Sequence, residues 1–392
     1  MNTDPGRILT THTGSLPRPD DLIRTMWAKA DGVPVDPAAL GERIALAVRE
    51  VVEHQVACGI DIVNDGEMSK PSYATYVQDR LTGFGGESIQ DYFFADLVDY
   101  PRSADLVAAN PGRRKRSAPA CTADISVRPD DESVDVDLRN LTGALAPLAG
   151  ADAGAGGAGS FSSAASPGVV SLFFANQHYP TDEAYLFAIA EAMRAEYEAI
   201  AAAGVTVQVD CPDLAMGRHS AYVAMDLAAF RRRIALNIEA LNHAVRNIPA
   251  EQLRMHLCWG NYPGPHHHDV DLADIVDLVW QAKPRTVLIE AANPRHAHEW
   301  TLFEHVALPD DKVLCPGVIE PQSNYIEHPQ LVAQRICRYA DVVGRDRVMA
   351  GVDCGFSVHV GMQGIDPDVA WGKLAALAQG AEIASARLWG SA

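Results

Sequence analysis

Apolar residues recur in two alternating patterns along most of the chain. In Pro37–Gly59, Asp182–Ala203 and Leu227–Val245 they recur at three- and four-residue steps, which predicts amphipathic helices. Between such segments stand short β-branched runs such as Val205–Asp210 and Thr286–Glu290, which predict buried strands. Further predicted helices are Val134–Leu148, Val270–Trp280, Gln330–Val343 and Trp371–Ala386. Further predicted strands are Arg7–Thr11, the run Ile60–Glu67 that turns acidic at its end, Cys121–Val127, Val169–Ala175, Leu253–Cys258, Lys312–Val318 and Val348–Asp353.

Strand and helix alternate eight or nine times, and no glycine-rich dinucleotide-binding fingerprint follows the first strand. Long alternation implies parallel strands joined by helical crossovers. The predicted fold class is therefore α/β, a (β/α)8 barrel with insertions, in a single domain over residues 1–392. The surplus strand-like run is expected to be an accessory N-terminal piece. An open, doubly wound sheet is the alternative.

Two segments interrupt the alternation. Ala149–Gly168 consists of small residues and carries one charge, Asp152, so it predicts a flexible loop without assigned function. Arg113–Arg116 is a basic patch that predicts a solvated loop, although in an acidic chain it could attract an anionic part of a substrate.

Composition narrows the function classes. The chain has 392 residues, of which 48% are hydrophobic and 21% charged, an ordinary globular balance. A net charge of -19 argues against nucleic-acid and anionic-membrane partners. An apolar run of about 18 residues and a signal peptide are both missing, so a cytoplasmic protein is expected. The seven cysteines are an odd number and widely spread, which favours reduced thiols. A homo-oligomer is compatible with the sequence.

Potential metal ligands stand at the ends of predicted strands. His256 and Cys258 are two residues apart, so in a strand their side chains share one face. Alone, such a pair in a buried strand is more often a packed histidine and an inert cysteine. Glu290 and Cys354 end two further predicted strands. One histidine, two cysteines and one carboxylate form a set that zinc accepts.

Other polar residues occupy the same position relative to the strands. Glu67, Asp210 and Glu320 also lie at or just after the C-terminal end of a predicted strand. In a barrel these ends meet at the face that carries the active site. This coincidence favours a metal-dependent active site over a packed core.

An irregular turn follows the first predicted strand. Thr13, Gly14 and Ser15 lie in THTGSLPRP, where the glycine and two prolines enforce the turn. Such a Gly-Ser turn often presents backbone N–H groups to an anion. A plain surface loop fits the pattern as well.

Six motifs resemble one family. THTGSLPRP, DIVNDGE, VDCPDLAMG, HLCWGN, LIEAANP and DCGF are similar to the C-terminal catalytic half of cobalamin-independent methionine synthase and its shorter relatives. The resemblance runs from about Thr10 to the C-terminus, except for residues 85–165. It implies a barrel in which His256, Cys258, Glu290 and Cys354 bind Zn2+. It also implies methyl transfer from a methylated folate to the thiol of homocysteine, forming methionine.

The chain departs from the family at several substrate positions. The resemblance makes Asp210 a ligand of the homocysteine amino group, whereas the family's second amino-group carboxylate falls at Thr75. The family's proton-donating histidine falls at Gln322, with Glu320 close by as a substitute. The acid that contacts the pterin is replaced by Met216. The remaining predicted substrate-binding residues are Thr13, Gly14, Ser15 and Glu67.

Three other functions remain open. Epoxyalkane:coenzyme M transferase has a similar opening motif and needs no amino-group clamp, which fits Thr75, but basic residues for its sulfonate are not identifiable. A zinc hydrolase could use the histidines of residues 266–268, yet they follow glycine and proline and are expected at the surface or a pocket rim. Two thiolate ligands also leave a metal poorly suited to activating water. A structural zinc site would cluster its ligands locally rather than over about a hundred residues.

Overall fold

The structure is a computed structural model that describes residues 6–86, 88, 93–110, 119–148, 159–362 and 364–390. Its strands are β1 Ile62–Val63, β2 Phe84–Gly85, β3 Ala120–Cys121, β4 Gly159–Ala165, β5 Thr206–Asp210, β6 Leu253–Leu257, β7 Thr286–Ile289, β8 Val313–Ile319 and β9 Gly351–Val352. Its α-helices are α1 Asp20–Ala30, α2 Pro37–Ala57, α3 Val77–Arg80, α4 Ala95–Asp99, α5 Pro101–Ala108, α6 Ser133–Leu145, α7 Pro167–Phe173, α8 Asp182–Ala202, α9 Leu227–Ala244, α10 Val276–Val279, α11 Pro329–Val343 and α12 Pro367–Trp389.

Seven strands form one parallel sheet in the order β1-β4-β5-β6-β7-β8-β9. Residues 10 and 11 lie between its two edges. The Thr11 N–H donates to the Ala350 carbonyl at 2.9 Å, and the Ile62 N–H donates to the Thr10 carbonyl at 3.1 Å. Both pairings are parallel, so this short segment is an eighth strand that closes the ring. The predicted (β/α)8 barrel is therefore confirmed, and closure rules out the open sheet.

The prediction that the surplus strand is an accessory N-terminal piece is wrong. The run Arg7–Thr11 supplies the closing strand, because hydrogen bonds pair it on both sides. The predicted strand Cys121–Val127 shortens to Ala120–Cys121, which pairs with Phe84–Gly85 in an antiparallel ribbon outside the barrel sheet. A run of a few β-branched residues shows strand propensity but does not reveal which neighbours complete its pairing.

Part of the predicted flexible loop is a barrel strand. Within Ala149–Gly168, residues Gly159–Ala165 form β4. Small side chains suit this place, since a Cβ on Gly159 would lie 3.3 Å from Ile62. The Tyr197 hydroxyl also reaches the Ala165 carbonyl at 2.5 Å. Residues 149–158 of that predicted loop, and the basic patch of residues 113–116, lie outside the described residues.

Two other predicted elements differ from the structure. The predicted strand Val169–Ala175 belongs mostly to helix α7, whose first turn is capped by the Ser166 hydroxyl accepting from the Val169 N–H at 3.0 Å. A short apolar run fits a buried helix as well as a strand, so the pattern could not distinguish them. The predicted helix Val270–Trp280 forms only a 3-10 turn at Leu272–Asp274 and the short α10. The other long predicted helices agree with the structure to within a few residues.

Apolar side chains form two separate packed regions. The large one includes residues of the long helices and the strands, such as Ile189 of α8, Val207 of β5 and Leu377 of α12. A smaller cluster is contributed mainly by the barrel strands and comprises Ile62, Phe161, Leu288, Val313, Cys315 and Met349. The strands therefore pack against helices on the outside of the barrel and against a smaller apolar cluster in its interior. Among the described residues, no helix is long and apolar enough to cross a membrane.

A buried arginine crosses the barrel interior. Arg254 on β6 is fully buried and donates to the Thr11 hydroxyl at 2.8 Å and to the His12 carbonyl at 2.5 Å. Its guanidinium lies 3.9 Å from the centre of the Phe161 ring. In the eight-strand order, β6 is four places from the closing strand in either direction. Arg254 therefore ties the closing strand to the opposite wall. Burial lowers its pKa to about 10, so it stays charged near neutral pH.

We expect Arg254→Ala to destabilise the fold by about 3 kcal/mol or more, because it opens a cavity and leaves buried acceptors unpaired. The free energy of unfolding, measured with urea, checks this. Arg246→Ala is the matched control, since Arg246 is exposed and bonds to Glu191 at the surface, and it should change stability by less than about 1 kcal/mol. Equal effects of the two substitutions would contradict the proposed tie.

Candidate active site

Three predicted metal ligands converge at the C-terminal mouth of the barrel. His256 lies near the end of β6, Cys258 directly follows that strand, and Cys354 lies two residues after β9. Their ligand atoms all lie within 4.8 Å of one another. His256 Nε2 is 3.4 Å from Cys354 Sγ, and all three side chains are buried. The parallel strands thus bring together residues that are 98 positions apart.

The chemistry of this cluster fits a soft or borderline cation. Burial lowers the pKa of His256 to about 3, so its imidazole is neutral and able to coordinate. Its Nδ1 has no hydrogen-bond partner among the described residues. The hydrogen bond with Cys258 and burial raise the pKa of Cys354 well above its usual value. Two thiolates here would need a compensating positive charge, and zinc accepts this nitrogen and sulfur set.

Glu290, the fourth predicted ligand, stands beside the cluster but outside the three-residue group found among the described residues. It directly follows β7 and is buried. One carboxylate oxygen accepts from the Trp259 N–H at 2.8 Å, and the other accepts from the Asn293 amide at 2.9 Å. Trp259 follows Cys258 in the chain, so this bond holds the carboxylate next to the cysteine segment.

Asp353 is a positioning residue that the motifs did not reveal. Its buried carboxylate accepts the backbone N–H groups of residues 291, 292 and 293 at 2.8, 3.0 and 2.6 Å. The turn after Glu290 is thereby fixed to the residue that precedes Cys354. Burial and the neighbouring Glu290 raise the pKa of Asp353 well above its usual value. The only sequence signal was its place at the end of a predicted strand.

Buried histidines and acids form a network behind Glu290. Asp269 accepts from His266 and His296, each at 2.9 Å, and the other nitrogen of His296 pairs with Glu299 at 2.9 Å. Burial opposes protonation, but these bonds raise the pKa of His266 to about 9 and that of His296 to about 10. Both imidazoles are therefore cationic near neutral pH and partly offset the charge of Glu290.

The structure divides the histidine run of residues 266–268. His266 is buried and borders a cavity together with Glu290, so of the two expected positions, surface or pocket rim, it fits the pocket rim. The carboxylates of Asp269 and Asp96 explain its burial, because they satisfy its ring and its backbone N–H. His267 and His268 do lie at the surface.

A cavity of about 210 Å³ opens beside the metal-ligand cluster. Predicted substrate residues Thr13, Ser15, Glu67 and Asp210 share its wall with the three clustered ligands. The rest of the lining is largely aromatic or apolar and includes Tyr73, Phe94, Phe173, Pro212, Met216, Tyr262, Val358 and Met362. The cavity therefore combines two acidic groups, a soft donor cluster and an aromatic and apolar wall.

Two buried carboxylates face this cavity. Glu67 accepts from the Ser163 hydroxyl at 2.8 Å, and its second oxygen has no hydrogen-bond partner among the described residues. Asp210 accepts from the Gln208 amide at 2.8 Å. Burial raises the pKa of Asp210 well above its usual value, and the charge of Glu67 adds to the shift. A cationic group in the cavity would relieve this repulsion.

The predicted Gly-Ser turn is also part of the site. Gly14 has φ +146°, and a Cβ there would lie 2.6 Å from the Glu67 carboxylate, so the turn requires glycine. The Thr13 hydroxyl donates to the Val352 carbonyl at 2.9 Å, and the Ser15 carbonyl accepts from Phe356 at 2.8 Å. The turn is thus anchored to β9 and to the segment after Cys354, and it is not a plain surface loop.

Glu320 does not line the cavity that holds the predicted substrate residues. It borders a second cavity of about 170 Å³, together with Glu290 and Cys354. Its carboxylate accepts the N–H groups of Gln322 at 2.5 Å and Ser323 at 2.9 Å. The loop that contains Glu320 is therefore organised around its side chain. Gln322 borders the same cavity, whereas Met216 lines the larger one.

The fold is a closed parallel barrel, and its mouth carries soft metal donors and two neighbouring carboxylates. These features are typical of barrel proteins with a metal-dependent active site. No protein-family model matches the chain. It is 22% identical over 376 residues to a methionine synthase of Thermococcus kodakarensis, which covers 95% of this chain and 92% of that protein. The B12-independent methionine synthase of Shewanella sp. W3-18-1, solved with selenomethionine, superposes with a TM-score of 0.71 at 20% identity, covering 96% of this chain and 97% of the other.

A putative B12-independent methionine synthase of Listeria monocytogenes superposes with a TM-score of 0.64 at 17% identity, covering 96% of this chain and 98% of the other. The matches extend over nearly the whole of each protein. They confirm the resemblance to cobalamin-independent methionine synthases that the six motifs predicted.

We expect Asp269→Asn to lower stability most strongly near pH 6.5, by about 2–3 kcal/mol, because hydrogen bonds to charged groups are lost. The raised pKa values of His266 and His296 make the protonated network stabilising below about pH 6.5. This contribution is lost as the pH rises through about 9 and about 10. Urea unfolding from pH 6.5 to 10 should therefore show a narrowing gap between variant and wild type.

Asp124→Asn is the control, since Asp124 forms an exposed pair with His178 and should show little effect at any pH. A gap for Asp269→Asn that stays constant up to pH 10 would contradict the protonated network.

Proposed function

We propose that the protein is a zinc-dependent methyltransferase that transfers a methyl group to the sulfur of homocysteine, forming methionine. The donor implied by the resemblance is a methylated folate. The observation that carries the proposal is the shared cavity, in which the His256, Cys258 and Cys354 cluster stands beside the carboxylates of Glu67 and Asp210. Homocysteine carries the two groups, a thiol and an ammonium, that these two sets of residues suit.

The metal would be held by His256, Cys258 and Cys354, with Glu290 as the fourth ligand. Bound zinc supplies a Lewis acid that keeps a substrate thiol deprotonated near neutral pH. Glu290 is the hardest donor of the four and is the natural one to yield its place to a thiol. Its bonds to Trp259 and Asn293 would keep the released carboxylate in position.

The acceptor's ammonium group would lie between Glu67 and Asp210. Glu67 has a buried oxygen with no partner among the described residues, and Asp210 is held by Gln208 so that it faces the cavity. Both acids would then be ionised and each could accept a charge-assisted hydrogen bond. The turn of residues 13–15 would border the carboxylate end of the acceptor.

The aromatic and apolar lining would exclude water and hold the methyl donor. Phe94, Phe173 and Met216 provide a surface suited to a flat ring. In-line transfer forms the sulfur–methyl bond as the methyl bond of the donor breaks. The thiol proton is released on binding, and the departing group takes up a proton. Glu320, which borders the second cavity together with Glu290 and Cys354, is the proposed source of that proton and would donate it from its protonated form.

One observation favours transfer of a different alkyl group to another thiol, as in epoxyalkane:coenzyme M transferase. Thr75 stands where the family has a second amino-group carboxylate, and its hydroxyl is hydrogen-bonded to Ser72 at 2.6 Å. Glu67 would have to compensate for that missing carboxylate. A zinc hydrolase is the weaker reading, because the clustered donors include two buried cysteines.

We expect about one zinc ion per chain in the wild type, and its loss in Cys258→Ser and Cys354→Ser together with all activity, because a hydroxyl is a poor substitute for thiolate. Elemental analysis after removal of loosely bound metal provides the measurement. Cys315→Ser is the control, since this cysteine is equally buried but lies in the barrel interior, and it should retain zinc. Full zinc occupancy in either of the first two variants would refute the ligand assignment.

We expect Asp210→Asn to raise the KM for homocysteine about tenfold or more, because a charge-assisted hydrogen bond contributes about 1.5–3 kcal/mol. The KM for any accepted thiol that lacks an amine should change little. Asp213→Asn is the control, since Asp213 is buried and bonded to Ser166 and Asn237 but does not line the cavity. Methionine formation from homocysteine and methylated folate is the direct assay. Faster turnover of coenzyme M with an epoxide would favour the second candidate instead.

A further inference from the structure

Three potential metal ligands outside the active site meet at the protein surface. Asp99 ends helix α4, whereas His267 and His268 belong to the loop after β6. Nε2 of His267 and Nε2 of His268 lie 2.9 and 2.7 Å from the same Asp99 oxygen. The three ligand atoms all lie within 4.8 Å of one another. Two segments about 170 positions apart in sequence thus present a compact donor set.

The loop that carries the histidines is fixed from beneath. The preceding residue, His266, has φ +56°, a conformation that costs a non-glycine residue free energy. Its N–H donates to Asp96 at 2.8 Å, and its ring bonds to Asp269 at 2.9 Å. These buried contacts hold the turn and place the two following imidazole rings 4.2 Å apart at the surface. The donors are therefore arranged before any ion binds.

We propose that Asp99, His267 and His268 form a second, solvent-accessible site for a divalent transition-metal ion. Two imidazole nitrogens and one carboxylate oxygen suit zinc, nickel or copper, whereas magnesium and calcium prefer oxygen ligands. The side chains are 33–50% exposed, so ions reach them directly from solution. Water would complete the coordination shell. The site lacks sulfur and is therefore chemically distinct from the buried cluster.

This second site would clamp part of the active-site wall. Phe94, directly before α4, stacks on Tyr262 with ring centres 3.8 Å apart, and both rings line the larger cavity. The Tyr262 hydroxyl also donates to Asp96 of α4 at 2.6 Å. An ion bound by Asp99 and the two histidines would add a further link between α4 and the same loop, in place of the hydrogen bonds that these three residues make with one another. Metal binding would therefore restrict opening of the cavity at this side.

The test uses zinc-loaded protein that has been passed over a chelating resin and then titrated with Ni2+ by calorimetry. We expect one further equivalent to bind to the wild type. Affinity should fall at least tenfold in the His267→Ala/His268→Ala double variant and also fall in Asp99→Asn. His178→Ala is the matched control, because it removes an exposed histidine that pairs with a single carboxylate, and it should bind Ni2+ like the wild type.

Hydrogen exchange of the backbone amides tests separately whether metal binding restricts the motion of α4. Ni2+ should slow exchange in residues 94–108 of the wild type and leave the double variant unchanged. A wild type that takes up no further equivalent, or a double variant that binds Ni2+ as tightly, would overturn the site. Binding without slower exchange would overturn the clamp. The outcome does not depend on methyl transfer, so it is separable from failure of the proposed function.

Discussion

Closure of the barrel is the constraint on which the rest of the structure depends. Residues 10 and 11 complete the ring with only a few hydrogen bonds, and Arg254 fastens them to the opposite wall through a fully buried guanidinium. Because the ring is closed, the end of β9 comes within reach of the end of β6. His256 and Cys354 lie 3.4 Å apart at the mouth of this barrel. The same closing segment leads directly into the turn of residues 13–15 that borders the cavity.

Charge balance is the second constraint, and it follows from the first. Glu67, Asp210, Glu290 and Asp353 are all buried at the mouth of the barrel. Backbone N–H groups stabilise Asp353, and the cationic His266 and His296 partly offset Glu290. At Asp210, burial and the charge of Glu67 outweigh the favourable effects of Lys70 and Arg254. A metal ion would supply positive charge at the cluster of His256, Cys258 and Cys354. An ammonium group of a substrate would supply it between Glu67 and Asp210.

The segment around α4 links the cavity to the surface. Its Phe94 contributes to the aromatic lining, its Asp96 is bonded to Tyr262 and His266, and its Asp99 meets the two exposed histidines. This short segment therefore contacts both the cavity wall and the proposed surface metal site. If a metal ion binds there, its effect on the cavity would pass through direct contacts only.

The sequence by itself determined the barrel, most of its long helices and the position of the polar residues at strand ends. These features depend on local periodicity and on the rule that parallel strands end at one face, so no tertiary information is needed. It also indicated His256, Cys258 and Cys354, because a spacing of two and a shared strand end are visible in one dimension. The tertiary structure alone decided which short segments complete the sheet. Gly159–Ala165 is a strand because its neighbours pair with it, although its small residues are typical of a linker. Likewise, the roles of Arg254, Asp353 and His266 depend on hydrogen-bond partners remote in sequence, and one-dimensional patterns carry no record of such partners.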